Sequence, residues 1–493
     1  MSKTVDFRGK PFHFIGIGGI GMSALAYILA KRKLPVSGSD LRVTPITDRL
    51  QSAGAHIFSA QEATNLDFFQ SISSKSQSSS NALEIEGQSR NSSGCAVVPT
   101  DRRDSPQVIC STAIAATNLE YLAALDKGYE IFHRSDVLAG LLGDYSQSIA
   151  VAGTHGKTTT SSAIAHLLVQ VGLDPTVIVG GEIETLGGNA RLGQGGVLVA
   201  EADESDGTLT KLVPHIGIVT NIELDHPDHY TSLEQVISTF QTFAQQCKIL
   251  VGCKDCAVVR DRLNPQITYS LDPNSEADYI ATETTYSGQG TRAKIWERGE
   301  LLGELNLQLL GRHNLSNALA AIAVARLLGL EFDAIATALK SFEGAKRRFE
   351  YRGEGGGITF FDDYAHHPSE IQVTLAAARL RVEDPHRVVA VFQPHRYSRV
   401  QTFLQEFARS FGDADIAIVT DIYSAGEANP DNLSGQTVAD AIAAHHSHVI
   451  YQPTFNGLES CLKEILQPGD LALFLGAGNL NQIIPKLVAF YNP

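Results

Sequence analysis

The segment best suited to chemistry is a glycine-rich loop that ends in a lysine and two threonines. It runs Gly153-Thr154-His155-Gly156-Lys157-Thr158-Thr159, between an apolar stretch and a helical pattern. Glycines let backbone N–H groups close on phosphate oxygens, a lysine ammonium reaches the β and γ phosphates, and a threonine hydroxyl suits Mg²⁺. Val151 stands where the commoner G-x-x-x-x-G-K-[ST] motif has its first glycine, so this is the shorter form. The loop predicts binding of ATP with Mg²⁺.

A second glycine loop lies near the start of the chain. Gly16, Gly18, Gly19 and Gly21 fit the G-x-G-x-x-G pattern, and Asp40 follows about 20 residues later, as in dinucleotide-binding folds. Any diphosphate could sit on the helix that follows such a loop. The pattern alone therefore leaves a nicotinamide cofactor and a nucleotide-diphosphate substrate both open.

Acidic residues and histidines follow two further apolar stretches. Glu201 is the first of four carboxylates after the stretch 197–200, and His226 lies in the polar run Asp225–His229. A carboxylate at a strand end beside a phosphate loop binds Mg²⁺ directly or through water. We therefore expect Glu201 to hold a metal, and His226 to complete a second metal site.

Two polar clusters follow apolar stretches late in the chain. One is Asp362–Pro368, which includes His366, and the other ends in Arg396 and Arg399. Two arginines three residues apart suit a carboxylate or a phosphate. A surface network of ion pairs is the alternative interpretation of both clusters.

The elements that must position these residues alternate between short apolar strands and helices along the chain. This alternation predicts parallel sheets covered on both faces. At roughly 150 residues per domain, 493 residues predict about three domains. The predicted fold class is α/β with three mainly parallel sheets flanked by helices: an N-terminal Rossmann-like domain, a central P-loop ATPase domain and a C-terminal Rossmann-like domain.

We place the domain limits at residues 1–135, 136–344 and 345–493. Within the first domain, residues 71–107 break the pattern, because 11 of these 37 residues are Ser and few are large and apolar. Such a stretch buries too little surface to offset the entropy lost on ordering. It is therefore predicted to be a disordered insertion.

Composition excludes several classes of protein. The 39 basic and 54 acidic side chains give a net charge of −15, which argues against binding to nucleic acid or to an anionic membrane. Six cysteines are too few for a disulfide scaffold. Residues 12–30 carry no charge and are long enough to span a membrane, but their glycines favour a strand, a turn and a helix. The expected location is therefore the cytoplasm.

Several motifs, in order along the chain, resemble those of the Mur ligases, the ATP-dependent enzymes of peptidoglycan precursor synthesis. The similar segments are Gly153–Thr159, Gly311–Asn314 with Asn317, Arg347–Glu350, Asp363–Pro368, Phe14–Ser23 and Asp421–Glu427. The likeness covers nearly the whole chain, and only residues 71–107 lie outside it. Ordered motifs together are far more specific than either glycine loop alone.

The resemblance implies a site to which all three domains contribute. The first domain would bind a UDP-sugar through Gly16, Gly18, Gly19, Gly21, Asp40, Ser111, Thr112, His133 and Arg134. The middle domain would bind ATP through Gly153–Thr159, His313, Asn314 and Asn317, and the metals through Thr158, Glu201 and His226. The third domain would bring Arg348, Asp363, His366, Arg396 and Arg399 to the phosphates and the amino acid. The catalytic set would be Lys157, Glu201, His226, His366, Arg396 and Arg399.

The resemblance also implies the reaction. ATP would convert the carboxylate of UDP-N-acetylmuramate into an acyl phosphate, which the amine of L-alanine would attack, giving ADP and phosphate. The small-molecule substrates would be the partners of a monomer or homodimer. A related ligase that adds a peptide or another amino acid is one alternative. An NAD-dependent dehydrogenase would leave the Lys157 loop without a role, and a nucleotide switch or binding module would leave the third domain unexplained.

Overall fold

The computed structural model describes residues 4–70, 105–429 and 432–492. Over these residues the chain forms three sheets flanked by helices. The first sheet has five parallel strands in the order β3-β2-β1-β4-β5. The strands are β1 (Phe12–Ile15), β2 (Val36–Ser39), β3 (His56–Phe58), β4 (Gln107–Cys110) and β5 (Ile131–His133). The helices are α1 (Ile20–Lys31), α2 (Pro45–Ser52), α3 (Leu119–Asp126) and α4 (Arg134–Asp144).

The strand order of this first sheet reverses at β1. From β1 the chain continues to β2 and β3 on one side of the sheet, and it then returns to add β4 and β5 on the other side of β1. In open α/β sheets, ligands bind outside the carboxyl ends of the strands at such a reversal. The loop Gly16–Gly21 lies at that point.

The second sheet has ten strands in the order β15-β14-β13-β12-β11-β10-β6-β9-β7-β8. They are β6 (Gln147–Ala152), β7 (Thr176–Ile183), β8 (Gly188–Arg191), β9 (Val197–Glu201), β10 (Ile216–Val219), β11 (Ile249–Cys253), β12 (Ile267–Ser270), β13 (Tyr279–Ser287), β14 (Gly290–Glu297) and β15 (Glu300–Leu307). Its helices are α5 (Lys157–Gln170), α6 (Leu233–Gln246), α7 (Ala257–Leu263), α8 (Arg312–Leu327) and α9 (Phe332–Lys340). The neighbouring strands in the run β13-β12-β11-β10-β6-β9-β7 pair in parallel. In contrast, β8, β14 and β15 are antiparallel to their neighbours.

The third sheet has six strands in the order β16-β17-β21-β18-β19-β20, parallel except for β16. They are β16 (Glu350–Gly355), β17 (Ile358–Asp363), β18 (Val388–Phe392), β19 (Ile416–Val419), β20 (Val449–Tyr451) and β21 (Leu471–Leu475). Its helices are α10 (Pro368–Arg379), α11 (Tyr397–Ala408), α12 (Gly435–Ala443), α13 (Phe455–Ile465) and α14 (Ile484–Tyr491).

The helix pair α5 and α8 fixes the position of the phosphate loop. Both helices are buried over most of their length, and α8 is rich in alanine, as in Ala320, Ala321 and Ala323. Small side chains let two helices and a sheet approach closely, so the start of α5 is held against the start of α8. Thr160 Oγ1 accordingly donates a hydrogen bond to Asn317 Oδ1 over 3.2 Å.

The three-domain α/β class is confirmed. The expected insertion 71–107 lies mostly outside the described residues, but its end was wrong, because Pro106 and Gln107 are buried. Gln107 begins β4, and its side chain accepts a hydrogen bond from the Asp6 N–H over 2.7 Å. The predicted limit at residue 135 falls at the start of α4, and the exact domain limits stay predictions. Among the described residues, no helix is long and apolar enough to cross a membrane.

Candidate active site

Two glycines give the Lys157 loop its path. Gly153 has φ of +136°, and a Cβ there would lie 1.9 Å from Thr220 Oγ1 at the end of β10. Gly156 has φ of +82°, and a Cβ there would lie 2.6 Å from Asn317 Oδ1. Any side chain at either position would push the loop away from its neighbours. The loop therefore passes directly onto the amino end of α5, where N–H groups without helical partners suit phosphate oxygens.

We expect Gly153→Ala to lower kcat/KM for ATP by about 10²-fold, the scale of a displacement of about 1 Å at a reacting centre. Its Cβ would collide with Thr220, so the loop must shift. Gly172→Ala is the matched control, because Gly172 also has positive φ, +80°, yet nothing lies within 4 Å of its Cβ. ADP release and thermal unfolding measure both variants. Equal effects of the two changes would show that backbone strain, and not the collision, matters.

The Lys157 ammonium lies against its own loop and an acidic neighbour. It donates hydrogen bonds to Gly153 O over 2.6 Å and to Glu204 Oε1 over 2.9 Å. Burial alone would lower the pKa of Lys157, but the charges of Glu204 and Asp203 raise it, so the ammonium stays charged. Burial raises the pKa of Glu204 to about 7. The Lys157 ammonium can release the Glu204 carboxylate and bind a phosphate oxygen in its place.

The donors for a metal lie at the end of β9. Thr158 Oγ1 donates to Glu201 Oε1 over 3.1 Å, and the Gly180 N–H donates to Glu201 Oε2 over 2.8 Å. A hydroxyl and a carboxylate are the oxygen donors that Mg²⁺ prefers. Burial lowers the pKa of His226, so its ring is neutral and able to bind a metal. Thr158 and Glu201 fit the predicted magnesium site, and His226 lines the same cavity.

His155 joins the loop to the third domain. Its ring nitrogens lie 3.3 Å from Glu223 Oε2 and 3.2 Å from Glu370 Oε1, in α10. Burial would lower the pKa of His155, but the hydrogen bonds to these two carboxylates raise it to about 10. Ser369 Oγ also donates to Glu223 Oε2 over 2.7 Å. The start of α10 is thus held against the phosphate loop.

The two predicted arginines of the third domain also contact the middle domain. Arg399 Nη2 donates to Asp225 Oδ1 over 2.8 Å, and both side chains are almost fully buried. Arg396 Nη1 donates to Asp228 Oδ2 over 2.9 Å and to Glu427 Oε1 over 3.1 Å. An anion that binds these guanidinium groups must replace or join these carboxylates.

Three predicted residues of the first domain have partners within the protein. Asp40 Oδ2 accepts a hydrogen bond from the Gly18 N–H over 2.9 Å and so shapes the glycine loop. His133 caps the start of α4. Arg134 Nη2 donates to Asp203 Oδ2 over 2.7 Å, in the middle domain. Contact of these residues with a UDP-sugar stays a prediction.

A cleft of about 880 Å³ opens where the three domains meet. The predicted residues that line it are Thr112, Thr154, His155, Gly156, Lys157, Thr158, Glu201, His226, Arg348, His366, Arg396 and Arg399. A neighbouring cavity of about 220 Å³ is lined by Thr159, His313, Asn314, Asn317 and Asp363, together with His155, Gly156 and Arg348. Gly21 and Arg134 line a smaller cavity of about 60 Å³, beside Glu201.

Family comparisons agree with this arrangement along the chain. The "Mur ligase family, catalytic domain" matches residues 11–146, the "Mur ligase middle domain" matches residues 151–325, and the "Mur ligase, glutamate ligase domain" matches residues 347–478. The chain belongs to the Mur ligase family. The resemblance deduced from the motifs is therefore confirmed.

Individual Mur ligases are similar over the full length. The UDP-N-acetylmuramate–L-alanine ligase of Gloeothece citriformis is 61% identical, over 99% of both chains. That of Nostoc punctiforme is also 61% identical, over 100% of this chain and 99% of its own. The crystal structure of the UDP-N-acetylmuramate–alanine ligase of Thermotoga maritima is 28% identical, with a TM-score of 0.78, over 98% of this chain and 99% of its own.

The acidic partners of Lys157, His155 and Arg399 have no role predicted from the sequence. They are Glu204, Glu223, Asp225 and Glu370. Asp225 and Glu204 lie in acidic runs that the sequence does display, whereas Glu223 and Glu370 carry no local signal beyond their proximity to a motif. Only the fold brings Glu370 within hydrogen-bonding distance of His155, 215 residues earlier.

Proposed function

We propose that this Mur ligase uses ATP to join L-alanine to the carboxylate of UDP-N-acetylmuramate, in peptidoglycan precursor synthesis in the cytoplasm. The observation that carries the proposal is the cleft at which the three domains meet, with the Lys157 loop at its centre. The full-length similarity to ligases named for this reaction supports the choice of substrates.

The first chemical step would be phosphoryl transfer within this cleft. An oxygen of the sugar carboxylate attacks the γ-phosphorus of ATP, ADP leaves, and an acyl phosphate forms. Lys157 would stabilise the charge that develops on the phosphoryl oxygens. Mg²⁺, held by Thr158, Glu201 and His226, would supply further charge neutralisation on the phosphates.

The second step would be attack of the L-alanine amine on the acyl carbon, after which phosphate leaves and the amide remains. Arg396 and Arg399 suit the carboxylate of the amino acid or the departing phosphate. Burial lowers the pKa of His366 to about 4, so its neutral ring is able to accept a hydrogen bond from the amine. The contacts between α10 and the loop would exclude water, which otherwise hydrolyses the acyl phosphate.

Binding of ATP would use the smaller cavity beside the loop. His313, Asn314 and Asn317 line it, and Arg348 reaches both cavities. Burial and the charge of Arg348 lower the pKa of His313 to about 4, so a neutral ring would face the adenine. The roles of the individual residues and a monomeric or dimeric state stay predictions.

The alternatives account for less of the molecule. A dehydrogenase requires only the Gly16–Gly21 loop and leaves the Lys157 loop and its metal donors unused. A nucleotide switch or binding module leaves the arginines that the third domain brings to the cleft without a role. A ligase for another amino acid or a peptide shares the chemistry, and a panel of amino acids with an ADP-release assay separates it from an L-alanine ligase.

Transfer of labelled oxygen tests the acyl phosphate directly. We expect phosphate to carry one heavy oxygen per amide formed when the carboxylate of UDP-N-acetylmuramate is labelled with ¹⁸O. The reason is that the carboxylate oxygen that attacks phosphorus leaves with it. Mass spectrometry of the phosphate and chromatography of the nucleotide measure the result, and omission of L-alanine is the control. Unlabelled phosphate would exclude the route, and labelled AMP would indicate an adenylate instead.

A further inference from the structure

A cluster of buried polar side chains lies in the core of the first domain. Its central residue is Glu120, near the start of α3, and the others are His13 in β1, Ser37 and Ser39 in β2, and Asn65 in the segment after β3. Asn65 is 8% exposed, and the other four residues are fully buried. None of the five is among the residues that line the cleft, so none contacts a ligand held there. We call this group the Glu120 cluster.

The Glu120 carboxylate is surrounded by hydrogen-bond donors. Asn65 Nδ2 donates to Oε1 over 2.7 Å, and the Ser39 hydroxyl donates to Oε2. His13 Nε2 lies 3.2 Å from Oε1, and it is the donor of this pair because a carboxylate can only accept. The other ring nitrogen of His13 lies 2.8 Å from Ser37 Oγ. A buried polar network whose members are all satisfied is rigid, so the cluster holds Ser39 in one position.

Ser39 connects this cluster to the first glycine loop. Its carbonyl oxygen accepts hydrogen bonds from the Gly16 N–H over 2.8 Å and from the Ile17 N–H over 2.9 Å. The carboxylate of the next residue, Asp40, accepts the N–H of Gly18 over 2.9 Å. The end of β2 therefore holds three successive N–H groups of the loop, immediately before α1 begins.

The loop is packed too closely against β2 to stay in place if that strand moves. A Cβ at Gly18 would lie 2.8 Å from Asp40 Oδ2. One residue before Ser39, a Cβ at Gly38 would lie 2.5 Å from the carbonyl oxygen of Phe14, in β1. Displacement of the end of β2 must therefore displace the loop as well.

Neither attraction of a ligand nor stability of the core explains a carboxylate at position 120. A negative charge behind a loop that binds a diphosphate would repel the ligand and not attract it. Apolar side chains of similar size often stabilise a core as well as buried ionic groups do. Orientation of the Ser39 side chain, by contrast, requires an acceptor at this place.

We propose that Glu120 is a positioning residue for the UDP-sugar. By fixing Ser39 it sets the geometry of the loop Gly16–Gly21, on which the diphosphate would lie. The proposal rests on the proposed function, because it requires the first domain to bind the UDP-sugar. It adds to that function a residue that acts on the ligand only through the loop.

Replacement of Glu120 by methionine removes the acceptor and keeps a side chain of similar length. We expect the Kd for UDP-N-acetylmuramate, measured by calorimetry, to rise at least about 10-fold, the scale on which partners that orient a binding group act. The kcat at saturating UDP-sugar and the KM for ATP should stay nearly unchanged. Ser39→Ala should raise the Kd similarly. The double variant should bind no more weakly than the weaker single variant, because both changes break the same contact.

Glu120→Gln is the conservative variant that separates position from charge. Its amide oxygen can still accept from Asn65, and its amide nitrogen can donate to Ser39 Oγ, so Ser39 stays held without a negative charge. We expect its Kd to be close to that of the wild type. Ser37→Ala is the matched control, since it removes a hydroxyl from the far end of the same network, and it should also leave the Kd nearly unchanged.

Hydrogen–deuterium exchange of the ligand-free protein tests the same idea without a substrate. The peptide that contains Gly16 and Ile17 should exchange faster in Glu120→Met and Ser39→Ala than in Ser37→Ala, while peptides of the third domain exchange alike in all variants. Thermal unfolding checks that each variant is folded, and Ser39→Ala, the smaller change, decides the test if Glu120→Met unfolds.

The outcomes distinguish this proposal from the proposed function. An unchanged Kd in Ser39→Ala, or an equal rise in Ser37→Ala, would overturn the positioning role of Glu120. So would a Kd as high in Glu120→Gln as in Glu120→Met, because the charge and not the position would then matter. Failure of the wild type to bind UDP-N-acetylmuramate would instead contradict the proposed function, and hydrogen exchange would still show whether Glu120 orders the loop.

Discussion

Replacement of Lys157 by alanine is expected to lower ATP-dependent turnover by about 10³-fold or more, while binding of UDP-N-acetylmuramate survives. Removal of one preorganised neutral hydrogen-bond donor lowers kcat by about 10²–10³-fold. A full charge in a site shielded from water stabilises the transition state more strongly, so its removal costs more. The Lys157 side chain is only 13% exposed. The UDP-sugar, by contrast, would be bound mainly by the first domain.

Two assays separate the expected losses. ADP release measures turnover, and calorimetry with UDP-N-acetylmuramate measures binding to the first domain. Lys294→Ala is the matched control, because Lys294 is an exposed lysine of the same domain that pairs with Glu283. Because Lys157→Ala leaves the buried Glu204 without its cation, thermal unfolding is measured as well. Normal turnover with lost UDP-sugar binding would contradict the assignment of the two glycine loops.

Buried parallel strands were predictable because each is a short continuous apolar run. The apolar runs 388–392 and 471–475, for example, form β18 and β21. The antiparallel strands β13–β15 were missed. Along β13, less exposed and more exposed side chains alternate, so the apolar run that marks a buried strand is absent. The alternation of strand and helix that indicates a parallel sheet also stops there.

The phosphate loop was predictable because its chemistry is local. Its glycines, lysine and threonine lie within seven residues, between a strand and a helix. Ion pairs between domains are not local. Arg134, for example, was predicted to contact a UDP-sugar, and the fold places it against Asp203, which is 69 residues away. Spacing along the chain contains no information on such pairs, because tertiary proximity selects them.

The Arg399–Asp225 pair is the clearest case of a contact that only the fold reveals. The residues are 174 positions apart and belong to different domains. Their side chains are 2% and 6% exposed. Burial would raise the pKa of Asp225, but the charge of Arg399 holds it well below its usual range. The carboxylate therefore stays ionised, and the two charges neutralise each other in a place that water scarcely reaches.

We expect Asp225→Ala to destabilise the folded protein by about 3–5 kcal/mol, because it leaves Arg399 buried without a counter-charge. Asp228→Ala is the matched control, since it breaks the exposed pair with Arg396 and should cost only about 0–1 kcal/mol. The double change Asp225→Ala with Arg399→Met should recover much of the lost stability, since this buried site tolerates an apolar side chain. Urea unfolding, monitored by circular dichroism, measures the free energy of unfolding of all three variants. If Asp225→Ala were as mild as Asp228→Ala, the buried pair would not hold the third domain to the middle one, and closure would depend on the His155 contacts instead.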